Sequence, residues 1–386
     1  MSISIIYLKP TNFCNVGCDH CYLTLETRQD KEVMQADTLD QVARTFGEMK
    51  AFYGQNSLEI LWHGGEPLLM PVSWYDAASE VLDRHLGPHT QSMQTSLIPF
   101  KKDFVPFIKQ RLGGGLGASF DFNSRKLNGS WNEYERLFLK KLEMAREDNI
   151  SVGIIMTVSK LELGYQKEIV QWFENNGFTS FRCERYTQYL HPVPNYVTNK
   201  DVSDWNIGLF DHLLERIREG KSPIVEDIVT AGINVAYRGR QGDRWGTTCT
   251  SDFFVVEPNG DVFNCTDRAG KEPPMGHVSM GWEGLLTSPE RLRMIQEHTF
   301  EKAGAGCQSC TYFETCRGGC PILPTGESTD LTDCVGSRHF LDHIRMVADT
   351  QEGQALIETY LASAEESRVR VRNNLLSDEL AEIVKS

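Results

Sequence analysis

The chain contains no run approaching the roughly 20 continuous apolar residues that a membrane-spanning helix needs, so a helical membrane protein is not expected. Its N-terminus, MSISIIYLKP, lacks a charged leader followed by an apolar region and reads as a short strand. No cleavable presequence is therefore expected, and the expected compartment is the cytoplasm. Basic residues are in short supply: 39 Lys and Arg stand against 53 Asp and Glu, a formal net charge of −14. Such a surface repels phosphate backbones and argues against DNA or RNA as a substrate. No internal repeat of solenoid length is evident. With 386 residues, 40% of them hydrophobic and 24% charged, the chain has material for one large domain and a smaller one.

Cysteine is plentiful, and its placement is uneven. Cys14, Cys18 and Cys21 lie near the start and Cys183 stands alone. Cys249, Cys265, Cys307, Cys310, Cys316, Cys320 and Cys334 crowd one later region. In a reducing cytosol such groups read as metal ligands rather than disulfides.

Residues up to about 200 alternate short apolar runs with amphipathic stretches, the pattern of repeated βα units on a parallel sheet. Expected strands cover 3–8, 58–62, 92–96, 116–122, 152–158 and 179–183. Thr38 is placed to cap a helix, with Gln41 as its reciprocal partner. Tyr134, Leu137, Phe138, Leu142 and Ala145 recur at helical spacing. Asn175, Asn176 and Gly177 stop a helix carrying Ile169, Val170, Trp172 and Phe173. The fold class is α/β: a partial (β/α)6 TIM-like barrel over 1–200, whose active site belongs at the C-terminal ends of the strands. A helical linker, containing a helix over 202–217, occupies 201–246. A small cysteine-rich domain, ordered by metal, follows over 247–335. The remainder, 336–386, is a helical tail with Ile357, Leu361 and Ala364 as an apolar stripe.

Cys14-Asn-Val-Gly-Cys18-Asp-His-Cys21 is a C-x3-C-x2-C loop directly after the first strand. Three thiolates on one short loop can hold three irons of a cubane and leave the fourth without a protein ligand. A zinc site would need a fourth ligand, which Asp19 or His20 could supply. A second motif, Trp62-His63-Gly64-Gly65-Glu66-Pro67, follows strand two about forty residues beyond the loop.

The loop, with His20 before its last cysteine and Tyr22 after it, resembles the signature of the radical S-adenosylmethionine (SAM) superfamily. The second motif is similar to that family's GGEP segment. The resemblance implies a [4Fe–4S] cluster on Cys14, Cys18 and Cys21, with SAM chelating the open iron. His20, Gly64, Gly65, Glu66 and Pro67 would surround that cofactor, Glu66 and the glycine backbone meeting its amino group. Missing β-carbons permit such close approach. Ser119-Phe120-Asp121 with Arg125 resembles the family's strand-four region, in which the serine contacts the ribose side of SAM and the arginine its carboxylate. The glycine usual after the aspartate is here Phe122.

The later cysteines resemble the SPASM extension of such enzymes, which carries two auxiliary [4Fe–4S] clusters. By that resemblance Cys307, Cys310, Cys316 and Cys334 complete one, and Cys249, Cys265 and Cys320 supply three ligands to the other. The Cys316-Arg-Gly-Gly-Cys320-Pro321 ending matches that of two-cluster ferredoxins, whose last cysteine reaches the other cluster. An eighth cysteine is missing, since Arg244, Trp245, Gly246 and Thr247 offer none. An open site, an Asp, His or water ligand, or Cys183 could fill the place; an open or non-cysteine site is favoured.

The resemblance implies a maturase acting on a peptide or protein substrate, installing a cross-link or an oxidative modification. Its partners would be an electron donor such as a flavodoxin or ferredoxin; no leader-recognition domain is expected before Ile3, which leaves the tail after Cys334, a separate leader-recognition protein, or a substrate read without a leader. Sulfatase-maturing enzymes are an alternative, but their aspartate after the cysteine equivalent to Cys265 is here Thr266, with Asp267 one further on. A dehydrogenase or epimerase of a small metabolite and a zinc-stabilised interaction module are further alternatives. No catalytic acid or base is assigned. Anaerobically purified protein is expected to be brown, with about twelve irons per chain for three cubanes; a colourless zinc protein would contradict the cluster reading.

Overall fold

The computed structural model describes residues 3–190, 192–242, 244–246, 249, 252–297, 305–323 and 334–383, with side chains left out at 305 and 368–383. Thr247 and two stretches of the expected cysteine-rich domain, 298–304 and 324–333, lie outside the described residues.

Along the chain the described strands are β1 (Ile5–Leu8), β2 (Gly17–Cys18), β3 (Glu59–Trp62), β4 (Thr90–Thr95), β5 (Gly115–Ser119) and β6 (Arg125–Lys126). They continue with β7 (Ser151–Val158), β8 (Ser180–Arg185), β9 (Val225–Glu226), β10 (Phe253–Val256), β11 (Asp261–Phe263) and β12 (Gly276–His277). The six strands expected of the barrel are β1, β3, β4, β5, β7 and β8. The chain folds into two compact units, each drawn from three separated stretches.

The first unit comprises 1–153, 188–194 and 247–296. Its sheet runs β12-β11-β10-β1-β3-β4-β5. The strands from β10 to β5 are parallel, and β11 and β12 are antiparallel additions at the β10 edge. Parallel neighbours need crossover connections, which the helices 36–52 and 72–86 supply. The first of these buries Leu39, Val42, Ala43, Phe46 and Met49, the i, i+3, i+4, i+7 stripe of a core-facing helix. Thr38 does not cap it. The helix begins at Ala36 after Gln35, which makes no side-chain cap bond, and Asp37 in the first turn complements the helix dipole. In the helix 131–147 Tyr134, Phe138, Leu142 and Ala145 are buried, and Ser130 caps it through the Glu133 amide.

Burial alternates along β1: Ile6 and Leu8 are fully buried on one face, and Tyr7 stands on the other. The Phe253-Phe254-Val255-Val256 run forms β10 and pairs with β1 in register, Ile5 to Phe253 through Leu8 to Val256. The cysteine-rich region thus contributes a strand to the sheet that carries the first cysteine loop.

The second unit comprises 154–187, 195–246 and 297–386. In it β7, β8 and β9 pair in parallel. The helix expected over 202–217 spans Asn199–Arg218 and opens with a capping box between Thr198 and Asp201. The tail forms two helices, Arg338–Ala348 and Gln351–Ile383. Ile357, Tyr360, Leu361 and Ala364 are all buried, so the apolar stripe is a packing face.

Tyr360 anchors that tail. Its hydroxyl accepts from the Glu226 amide at 2.8 Å and donates to the Glu226 carbonyl at 3.0 Å. The Glu226 carboxylate accepts from the Cys183 and Val229 amides, both at 2.7 Å, and joins β8 to the start of the helix 227–238. Burial pushes this carboxyl up to about 7 in spite of the amides. Tyr360→Phe leaves a buried amide without its acceptor. It is expected to cost about 1–3 kcal/mol of stability, read as a lower urea midpoint with unchanged slope.

Candidate functional site

The first cysteine loop leaves the C-terminal end of β1. Its backbone is pinned on several sides: the Cys14 amide donates to the Arg28 carbonyl, and the Asp19 amide to the Ser124 carbonyl. On a third side lies the Gly64–Glu66 turn. The Gly65 amide donates to the Thr11 carbonyl at 3.0 Å and the Glu66 amide to the Phe13 carbonyl at 2.9 Å. Neither glycine tolerates a side chain. A Cβ at Gly64 would stand 2.3 Å from the Thr11 oxygen, at φ +130°, and one at Gly65 would stand 2.1 Å from the Asn12 oxygen. The missing β-carbons serve the close approach of two backbones, which the sequence had suggested only for a ligand.

Glu66 is fully buried. Its carboxylate accepts from the Leu68 amide at 3.0 Å, the Thr95 hydroxyl at 2.5 Å, the Ser96 amide at 2.8 Å and the Ser96 hydroxyl. Burial raises its pKa although these donors pull it down. The side chain therefore ties the turn after β3 to the end of β4. Pro67 is buried in the short 3-10 turn that Glu66 caps.

Cys14, Cys18 and Cys21 are brought together: Cys18 and Cys21 lie close enough to raise the pKa of Cys14, and Cys21 close enough to raise that of Cys18. Burial, chiefly, pushes Cys14 well up, and it pushes Cys18 up to about 12 although Arg125 pulls the other way. Ligation must therefore displace protons from these thiols. The other polar groups of the loop are engaged. Lys126 donates to Asp19 at 2.7 Å, and His20 Nε2 lies 3.3 Å from Asp121. Burial lowers His20 to about 4, which keeps its ring neutral.

Arg125 sits opposite Cys18 in the two-residue ladder of β2 and β6. It pairs with the fully buried Asp121 and directs Nη1 at the Cys18 sulfur, 3.3 Å away. Burial works against its charge, but Asp121 and Cys18 outweigh that and raise its pKa. Ser119 ends β5; its hydroxyl accepts from Gln94 at 2.8 Å.

Several residues beside the loop were not singled out for the site, although Tyr22 and His63 lie within the motifs. Lys9, fully buried at the end of β1, pairs with Glu257 at 2.5 Å and lies over the Tyr22 ring. Asn12 donates to the same Glu257 at 2.6 Å. Tyr22 donates to the Gly64 carbonyl at 3.1 Å and lies 3.3 Å from His63 Nδ1. Burial lowers His63 to about 3. The only hint of Lys9 was a lone charge closing an apolar run.

Among the later cysteines, Cys307, Cys310, Cys316 and Cys334 line one hollow with Tyr312 and Gly336. Burial, chiefly, pushes Cys316 up to about 12, with Cys334, Cys310 and Cys307 adding to it. A Cβ at Gly336 would stand 2.4 Å from the Cys316 sulfur and fill the cradle. Among the described residues no His, Cys, Asp or Glu groups close on a single metal ion. Three thiols on one short loop and four around one hollow are donor sets that suit [4Fe–4S] ligation. Cys320 is not among the residues of the hollow. Cys249 is exposed in the first unit, where the Cys265 thiol lies 3.8 Å from Asp267 Oδ2. Cys183 is buried in β8 beside Phe181.

A cysteine loop clasped to a glycine turn at the C-terminal ends of parallel strands is the arrangement of radical SAM enzymes. Residues 8–172 match the family model of the Radical SAM superfamily. The chain carries a radical SAM domain over those residues, with the [4Fe–4S] cluster and SAM that the superfamily uses, on a partial TIM-type fold. It is 19% identical to a serine-type anaerobic sulfatase-maturating enzyme of Bacteroides thetaiotaomicron, over 89% of this chain and 90% of that protein. It is 23% identical to the mycofactocin maturase MftC of Mycobacterium tuberculosis, over 80% of this chain and 76% of that one. The solved structure of native anSMEcpe with bound AdoMet and Kp18Cys peptide superposes with a TM-score of 0.74 at 17% identity, covering 91% of this chain and 98% of the other. SuiB of Streptococcus suis bound to its precursor peptide SuiA gives 0.61 at 16% identity, covering 83% and 74%. No described helix is long and apolar enough to cross a membrane.

Two glycine substitutions separate the cysteine sites. Gly65→Ala drives a methyl into backbone that cannot yield, and is expected to remove about four irons per chain and all SAM cleavage. Gly336→Ala is expected to remove about four irons while the SAM-responsive EPR signal survives. Iron analysis and EPR check both.

Proposed function

We propose that this enzyme is a peptide maturase: it abstracts hydrogen from a side chain of a peptide or protein and installs a cross-link or an oxidative modification. One observation supports this above the others. The four-cysteine hollow around Gly336 adds an electron acceptor to a radical SAM loop. The maturases among its relatives, and neighbours bound to peptides, favour the same reading.

Cys14, Cys18 and Cys21 would hold a [4Fe–4S] cluster, which when bound and reduced would supply the electron for cleaving SAM to methionine and a 5′-deoxyadenosyl radical. The residues prepare for that chemistry. Glu66 holds the turn to β4 through Thr95 and Ser96, and the SAM amine would find its acceptors among the backbone carbonyls of the Gly64–Gly65 turn. Tyr22 ties the loop to that turn, and Lys9 with Asn12 ties its start to Glu257 beyond β10. Forming a new bond from two C–H or X–H bonds releases two hydrogens. One would go to 5′-deoxyadenosine and the other would leave as a proton, its electron being taken by an auxiliary cluster held by Cys307, Cys310, Cys316 and Cys334. A flavodoxin or ferredoxin would reduce the first cluster, in the cytoplasm, and a separate protein would present the substrate leader. The acidic chain disfavours nucleic acid as a partner.

A second reading, oxidation of a sulfatase Cys or Ser to formylglycine, draws on Asp267, which reaches Cys265 although Thr266 intervenes. Reduced, reconstituted enzyme with SAM and the product of a neighbouring short reading frame is expected to yield 5′-deoxyadenosine and a peptide lighter by two hydrogens. Formylglycine on a sulfatase peptide, abolished by Asp267→Asn, would favour the second reading. Absence of 5′-deoxyadenosine in every assay would defeat both.

A further inference from the structure

We infer that Arg125 tunes the reduction potential of the first cluster by donating a hydrogen bond to a ligating sulfur. The inference rests on the reading of Cys14, Cys18 and Cys21 as cluster ligands. In the family resemblance this arginine would serve the SAM carboxylate, a role that needs a free face of the guanidinium. Here each guanidinium nitrogen already meets a protein atom. Nε pairs with Asp121 Oδ2, Nη1 lies 3.3 Å from Cys18 Sγ, and Nη2 lies 3.3 Å from His20 Nε2.

The placement is enforced from the backbone. The β2–β6 ladder sets Cys18 against Arg125 and Gly17 against Lys126. The Trp131 indole donates to the Asp121 carbonyl at 2.9 Å and fixes the segment that carries the carboxylate. Asp121 is fully buried, and the Arg125 side chain is 13% exposed, so water screens the contact little.

Adding an electron to a thiolate-ligated cluster deepens the negative charge on its sulfurs. A donor aimed at one of those sulfurs, and a cation behind it, stabilise the reduced form more than the oxidised form. Hydrogen bonds to sulfur are among the levers that set such potentials. Asp121 opposes the cation, so the pair delivers a directed N–H with a moderated charge. Arg125 thereby eases the reduction that must precede SAM cleavage.

The test is potentiometry of reconstituted enzyme without SAM, following the EPR signal that a Cys14→Ala/Cys18→Ala/Cys21→Ala variant lacks. Arg125→Met combined with Asp121→Asn removes donor and counter-charge together and leaves no lone buried ion. It is expected to disfavour reduction about tenfold, a fall of about 59 mV for a one-electron couple. Asp121→Asn alone keeps the donor and frees its charge, and should move the midpoint the opposite way. Midpoints unchanged without SAM, with the signal intact, would overturn the inference. So would loss of the signal from both variants, which would make the pair a structural support. If the wild-type enzyme itself forms no such cluster, the underlying reading fails instead.

Discussion

The site depends on two stretches of backbone being packed at contact distance. The loop that begins at Thr11 and the turn at Gly64–Glu66 share two amide–carbonyl bonds, and the turn can approach only because its first two residues lack β-carbons. This contact sets one side of the loop that bears the three thiols, and the Arg28 and Ser124 carbonyls hold it on others. Glu66, its four donors supplied by Leu68, Thr95 and Ser96, locks the turn to the next strand. Tyr22 and Asn12 then fasten the loop to the turn and to Glu257. A carboxylate so fully used is a brace, and its burial is affordable because every oxygen has donors.

The electrostatics of the loop follow the same logic. Three thiols held close in a dry setting resist ionisation, as the raised Cys14 and Cys18 show. A cation relieves that resistance, and Arg125 directs Nη1 at the Cys18 sulfur. Around Gly336 the later cysteines repeat the pattern with a different scaffold: short helical turns, a left-handed Arg317 and a glycine cradle replace the ladder and the strand end. Both sites use glycine where sulfur or backbone must come close.

The strands of the α/β core were legible because apolar runs such as ILW and IIM are short, regularly spaced and bounded by amphipathic helices. Boundaries were less so. Thr38 has the composition of a cap, yet Asp37 already lies in the first turn of the helix. Phe253–Val256 was not foreseen as a strand beside β1, since parallel pairing joins residues some 250 positions apart and leaves no local trace. Lys9 and Glu257 were invisible for the same reason: each is an unremarkable charge until the other is beside it.

Spacing alone determined that three cysteines on one short loop would act together, because a chain of eight residues cannot carry them far apart. It also placed a glycine pair after the second strand. What the glycines approach, which oxygens Glu66 serves and where the Arg125 guanidinium points were decided only by tertiary structure. Those are relations between residues far apart in sequence, and hydrogen-bond direction and burial exist only once the strands that bear them have been set side by side.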